Sequence, residues 1–130
     1  MNKKRILIVD DEAGAARLLK LNLEQTNDYV VRVETKPSAA LAAAEDFQPD
    51  LILLDVMMPS MDGGEVAQSI RASPRLRSVK IVFLTAATTR AEVSSRGGRI
   101  GELPFLAKPA DFPEVIACLE QHLGKPIRMK

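Results

Sequence analysis

Four short apolar runs punctuate this chain, and each ends on a polar residue. Ile6-Leu7-Ile8-Val9 leads into Asp10 and Asp11, and Leu51-Ile52-Leu53-Leu54 leads into Asp55. Ile81-Val82-Phe83-Leu84 leads into Thr85, and Phe105-Leu106-Ala107 leads into Lys108 and Pro109. Runs this short and this continuous read as strands covered on both faces, because a half-exposed strand would alternate. A fifth run, Tyr29-Val30-Val31-Arg32-Val33-Glu34, is interrupted by charge. The pattern predicts strands at about 5–9, 29–34, 50–54, 79–84 and 104–107, with helices at about 12–26, 37–46, 63–72, 88–97 and 111–123. Alternation of this kind implies a parallel sheet with helices on both faces, joined by right-handed crossovers.

Edge strands can be picked out by chemistry. Arg32 and Glu34 mark the second strand as partly exposed, and Pro104 lacks the N–H that a central strand must donate. Edges at the second and fifth strands give the order 2-1-3-4-5, a flavodoxin-like, doubly wound α/β fold with five parallel strands and five helices. In the last helix, Phe112, Val115, Ile116, Leu119 and Leu123 form one apolar stripe, with Asp111 as N-cap and Pro113 in the first turn. Ala15, Leu18, Leu19 and Leu23 are expected to do the same for the first helix, with Asn22 on that face. Asn27-Asp28 and Gln48-Pro49-Asp50 carry turn chemistry.

Composition narrows the class. A length of 130 residues and a hydrophobic content of 46% suit one domain, at 1–124, with 125–130 as a short tail. The net charge of +1 and 4% aromatic content give no basic field and no base-stacking surface, so direct nucleic-acid binding is not expected. No apolar stretch approaches the ~20 residues of a membrane span, and no secretory signal is present, so a cytoplasmic protein without membrane insertion is expected. Cys118 is the only cysteine and is expected to be a buried, inert thiol. His122, late in the last helix, is expected on the surface.

In an open parallel sheet, ligands bind beyond the carboxyl ends of the strands. Asp10, Asp11, Asp55, Thr85 and Lys108 therefore converge on one pocket of three carboxylates, a hydroxyl and an ammonium. Singly, each has an ordinary explanation: a cap, a strand end, a solvated lysine. Together they suit a hard divalent cation, which takes oxygen ligands, beside a phosphoryl group. Without a cation, carboxylates crowded within ~4–6 Å repel one another. A carboxylate can attack phosphorus to give an aspartyl phosphate, and Asp55, ending the central strand, is the best-placed nucleophile.

These residues closely resemble the receiver domain of two-component response regulators. The likeness rests on Ile8-Val9-Asp10-Asp11-Glu12, Asp50-Leu51-Ile52-Leu53-Leu54-Asp55-Val56-Met57-Met58-Pro59, Met61-Asp62-Gly63, Leu84-Thr85-Ala86 and Phe105-Leu106-Ala107-Lys108-Pro109, over about residues 4–123. The resemblance implies a phosphorylation switch. Asp55 would be the phosphoacceptor, and Mg2+ (or Mn2+) would be held by Asp10, Asp11, Asp55 and the backbone carbonyl of Met57. Thr85, Ala86 and Lys108 would bind the phosphoryl group, and the Lys108-Pro109 bond would be cis. Thr85 and Phe105 would form the switch, remodelling the face of the fourth helix, fifth strand and fifth helix. The donor would be a sensor histidine kinase or a histidine phosphotransfer protein, and the target a downstream protein or output domain. The domain would be a monomer or weak dimer.

Such a domain is not an enzyme acting on other substrates. It catalyses its own phosphotransfer and, since Met57 and Ala87 have no polar side chain to orient water, slow dephosphorylation. Two other readings compete. Haloacid dehalogenase-type hydrolases place a second Asp two residues after the first, where this chain has Met57. A receiver-like binding module that no longer accepts phosphate usually lacks part of the pocket, and this chain keeps all five residues. The chain departs from the family pattern near the output face: Glu102 stands where a small residue is usual, Gly97-Gly98 weakens the fourth helix, and Pro104 stiffens the fifth strand.

Overall fold

The apolar runs form the sheet. The computed structural model describes residues 3–55, 57–58, 61–85, 99–100, 103–107 and 112–124. Five principal strands are β1 (Lys4–Val9), β2 (Tyr29–Glu34), β3 (Leu51–Asp55), β4 (Lys80–Thr85) and β5 (Leu103–Ala107). They lie parallel in the order β2-β1-β3-β4-β5, as the edge chemistry predicts. The helices are α1 (Ala13–Gln25), α2 (Ala40–Phe47), α3 (Gly63–Ala72) and α4 (Phe112–Leu123). The helix expected at 88–97, the cap at Asp111 and the tail at 125–130 lie outside the described residues.

Burial on both faces explains why the runs are continuously apolar. Leu7, Val9, Ile52, Leu54, Ile81 and Phe83 pack with α2 and α3 on one face. Their neighbours Ile6, Ile8, Leu51, Leu53, Val82 and Leu84 pack with α1 and α4 on the other. Ala40, Ala43 and Ala44 of α2 are all buried. The α4 stripe seats as expected, with Val115 and Leu119 buried and Phe112, Ile116 and Leu123 against them. At the amino ends of the strands, the Arg5 N–H donates to Asp50 Oδ2 at 2.8 Å and the Asp50 N–H donates to the Arg5 carbonyl at 2.7 Å. Arg5 Nε also donates to the Phe47 carbonyl. Asn27 and Gln48 take positive φ values of 64° and 52°, so both predicted turns pass through the left-handed region.

Two expectations need correction. The core face of α1 is rotated: Ala16 and Leu23 are buried and Leu19 packs beside them, whereas Ala15 is exposed and Leu18 is 59% exposed. Leu21 is exposed as well. The core spacing runs Ala16–Leu19–Leu23, and buried Ala16 is a small residue at the helix–sheet contact. Asn22 is half-buried. The second correction is at the sheet edge. Strand β5 is not the outermost, because Arg99–Ile100 pairs antiparallel with it, Arg99 opposite Pro104 and Ile100 opposite Leu103. Among the described residues the sheet therefore has six strands. The added strand covers backbone groups that a bare edge would expose.

Candidate metal centre

Strand register brings the candidate residues to one end of the sheet. Val9 lies opposite Leu54, so Asp10 and Asp55 follow as neighbours on adjacent central strands. Asp55 lies opposite Leu84, so Thr85 sits one residue further along the next strand, opposite Ala107. Asp10 and Asp55 are buried, at 2% and 3% exposure, while Asp11 is exposed. One carboxylate oxygen from each of Asp10, Asp11 and Asp55 lies within 4.8 Å of the other two. The convergence expected from the sequence thus holds for all three acids.

The turn after β1 fixes Asp10. Its backbone N–H donates to the Glu34 carbonyl at 3.1 Å, extending the ladder to β2. Its Oδ1 accepts the Glu12 N–H at 3.0 Å, an Asx-type bond to the residue two ahead. The sequence reading missed this role of the Glu12 backbone. Its signal, an Asp at a strand-to-helix junction, was present in Asp10-Asp11-Glu12.

The donor set fits a small hard cation. In an octahedron with Mg–O distances of about 2.1 Å, ligand oxygens lie about 3.0 Å apart when adjacent and about 4.2 Å apart when opposite. Three oxygens within 4.8 Å of one another can reach such an ion directly or through the waters that Mg2+ keeps. Two of the three donors are buried, where like charges held close together repel. Met57 begins a two-residue strand, Met57–Met58, that pairs antiparallel with Met61–Asp62 just before α3. Its backbone is thus two residues beyond Asp55. Phe105 lies within β5 opposite Phe83. Ala86, Ala87, Lys108 and the Lys108-Pro109 bond lie outside the described residues.

The remaining candidates fall away from this end or play packing roles. Cys118 is half-buried against the α1–α4 core, and burial pushes its thiol above the ordinary value. His122, expected on the surface, is half-buried in the last turn of α4. Among the described residues, no helix is long and apolar enough to cross a membrane.

The doubly wound parallel sheet carries its acidic cluster beyond the carboxyl ends of its strands, where such folds bind ligands, and comparison with known proteins shows the family. The family model described as the response regulator receiver domain matches residues 6–120. The chain therefore belongs to the receiver domain family of two-component response regulators. It is 40% identical to the response regulator PleD of Caulobacter vibrioides over 107 residues, 82% of this chain and 23% of that protein. Among solved structures, the chemotaxis protein CheY4 of Vibrio cholerae superposes with a TM-score of 0.80 at 27% identity, covering 94% of this chain and all of that one (100%). The receiver domain of the sensor histidine kinase PA1611 from Pseudomonas aeruginosa superposes with a TM-score of 0.79 at 26% identity, covering 95% of this chain and 100% of that one. That structure is described with a magnesium ion coordinated in its active-site cleft. The chain spans between 23% and 52% of the length of the curated relatives it matches, several of which are named as DNA-binding regulators.

Proposed function

We propose that this domain is a phosphorylation switch whose acceptor is Asp55. The observation that carries this reading is the convergence of the Asp10, Asp11 and Asp55 carboxylates within 4.8 Å at the carboxyl end of the central strands. Asp10, Asp11 and Asp55, with the Met57 carbonyl, would hold Mg2+ or Mn2+. Bound there, the metal would supply positive charge against the phosphoryl oxygens. The buried Asp55 carboxylate oxygen forms the new P–O bond as the donor's P–N bond breaks. The released histidine nitrogen keeps the electron pair. Asp10 stays oriented throughout by the Glu12 N–H. Thr85, Ala86 and Lys108 receive the phosphoryl oxygens.

The signal then passes from Thr85 through Phe105 to the surface of the 88–97 segment, β5 and α4. That surface engages a downstream protein or an output domain. The domain turns over no other substrate, and its phosphotransfer partner is a sensor histidine kinase or a histidine phosphotransfer protein. Support comes from the family match and from the magnesium in the PA1611 receiver. The DNA-binding relatives match this chain over about half their length, so the argument from charge and aromatic content against nucleic acid concerns these 130 residues alone.

The test is incubation with acetyl phosphate, with and without Mg2+, read by intact mass. One phosphoryl adduct is expected with Mg2+, and none in Asp55→Asn or after chelation. A wild-type chain that takes up no phosphoryl group, or an Asp55→Asn variant that takes it up equally, would overturn the proposal.

A further inference from the structure

Strand β2 pairs only with β1 among the described strands, so its outer edge has no strand beside it. Two bonds show which of its residues face outward. The Lys4 N–H donates to the Asp28 carbonyl and the Asp10 N–H donates to the Glu34 carbonyl. The even-numbered positions therefore turn their backbone groups toward β1, and Tyr29, Val31 and Val33 turn theirs outward. The sequence here, Tyr-Val-Val-Arg-Val-Glu, is rich in strand-forming residues. Such an edge is a template for another strand unless something occupies it.

One side chain does so. Glu24, in the last turn of α1, accepts the outward Val31 N–H on Oε2 at 3.1 Å. Its other oxygen, Oε1, lies 3.2 Å from Lys20 Nζ, one helical turn back. Burial raises the Glu24 carboxyl, but the Val31 N–H and the Lys20 ammonium outweigh it and hold the group below its ordinary value. The carboxylate therefore stays ionised, and keeps accepting, at neutral pH.

We propose that Glu24 guards the β2 edge, and that this edge, once the carboxylate is withdrawn, is a seam for a second copy of this chain. Charge selects both the occupant and the register. In an antiparallel pair with its two-fold axis at Val33, Arg32 faces Glu34 of the second copy, and Glu34 faces Arg32, giving two opposite-charge pairs. An axis at Val31 would instead set Glu34 against Asp28 of the second copy, two like charges. In the favoured register Val31 must donate its N–H to Thr35 of the second copy. That is the N–H Glu24 occupies, so the guard blocks one ladder bond on each side of the axis. Arg32 already lies 2.8 Å from Asp46, which is 78% exposed, so this bridge is solvated and readily exchanged for a new one. This inference is independent of the phosphoacceptor assignment.

Sedimentation velocity from micromolar to millimolar chain concentration tests it. Glu24→Ala is expected to double in mass with rising concentration, while wild type shows no association through this edge. Glu24→Gln, which keeps an oxygen for the Val31 N–H, is expected to behave like wild type. Adding Arg32→Glu to Glu24→Ala should return the chain to monomer, and Arg32→Glu with Glu34→Arg should restore the dimer. A Glu24→Ala chain that remains monomeric at millimolar concentration would overturn the proposal, as would a dimer indifferent to Arg32→Glu. Hydrogen exchange gives a second readout in the unmodified protein: the Val31 amide should be protected in dilute wild type. Exchange there at the rate of an open amide would also overturn it.

Discussion

At the scale of single residues, the site sets charge repulsion against fold stability. Asp10 and Asp55 are buried at the ends of adjacent central strands, and Asp11 is beside them. Two unit charges about 4 Å apart repel by ~1 kcal/mol in water and by ~4 kcal/mol at the effective dielectric near a protein surface. Asp10→Asn and Asp55→Asn are therefore expected to stabilise the metal-free protein by about 1–4 kcal/mol in urea melts with chelator present. Mg2+ should raise the wild-type melting temperature and raise that of either variant less. Both variants melting below wild type in chelator would contradict the account. The three acids were legible in the sequence because they stand where two apolar runs end. The Glu12 N–H that orients Asp10 was harder to see, since a backbone donor has no residue type of its own and reveals itself only through the turn.

Elements were legible to different depths. Strands buried on both faces announce themselves as continuous runs, and β1, β3 and β4 fall within a residue or two of where the pattern puts them. A helix is read by phase, and the phase of α1 is ambiguous because leucines 18, 19, 21 and 23 surround most of its circumference. The structure resolves this in favour of Ala16, Leu19 and Leu23. Leu23→Ala should accordingly cost about 2–5 kcal/mol, the usual range for emptying a packed leucine site. Leu18→Ala should change stability by no more than about 0.5 kcal/mol, as surface substitutions do. Equal losses in urea denaturation would mean that the helix seats on the face first expected. The strand at Arg99–Ile100 escaped the sequence reading because two residues are too few to show a period.

For the whole molecule, edge chemistry and alternation were enough to order the five principal strands, and that order places the acids together. Arg32 and Glu34 mark one edge correctly, whereas Pro104 marks a strand that carries a further short partner. Register then does the rest: Val9 opposite Leu54 and Asp55 opposite Leu84 set Asp10, Asp55 and Thr85 along one end of the sheet. The chain is a receiver domain, and the central claim about it is that Asp55, among three neighbouring carboxylates, is the one that takes the phosphoryl group. The most direct measurement is to phosphorylate the chain with acetyl phosphate and Mg2+, reduce the acyl phosphate with borohydride, and locate the resulting homoserine by peptide sequencing. The account predicts homoserine at position 55 and nowhere else. Homoserine at position 10 or 11, or a phosphoryl group that resists reduction because it is not on a carboxylate, would contradict it.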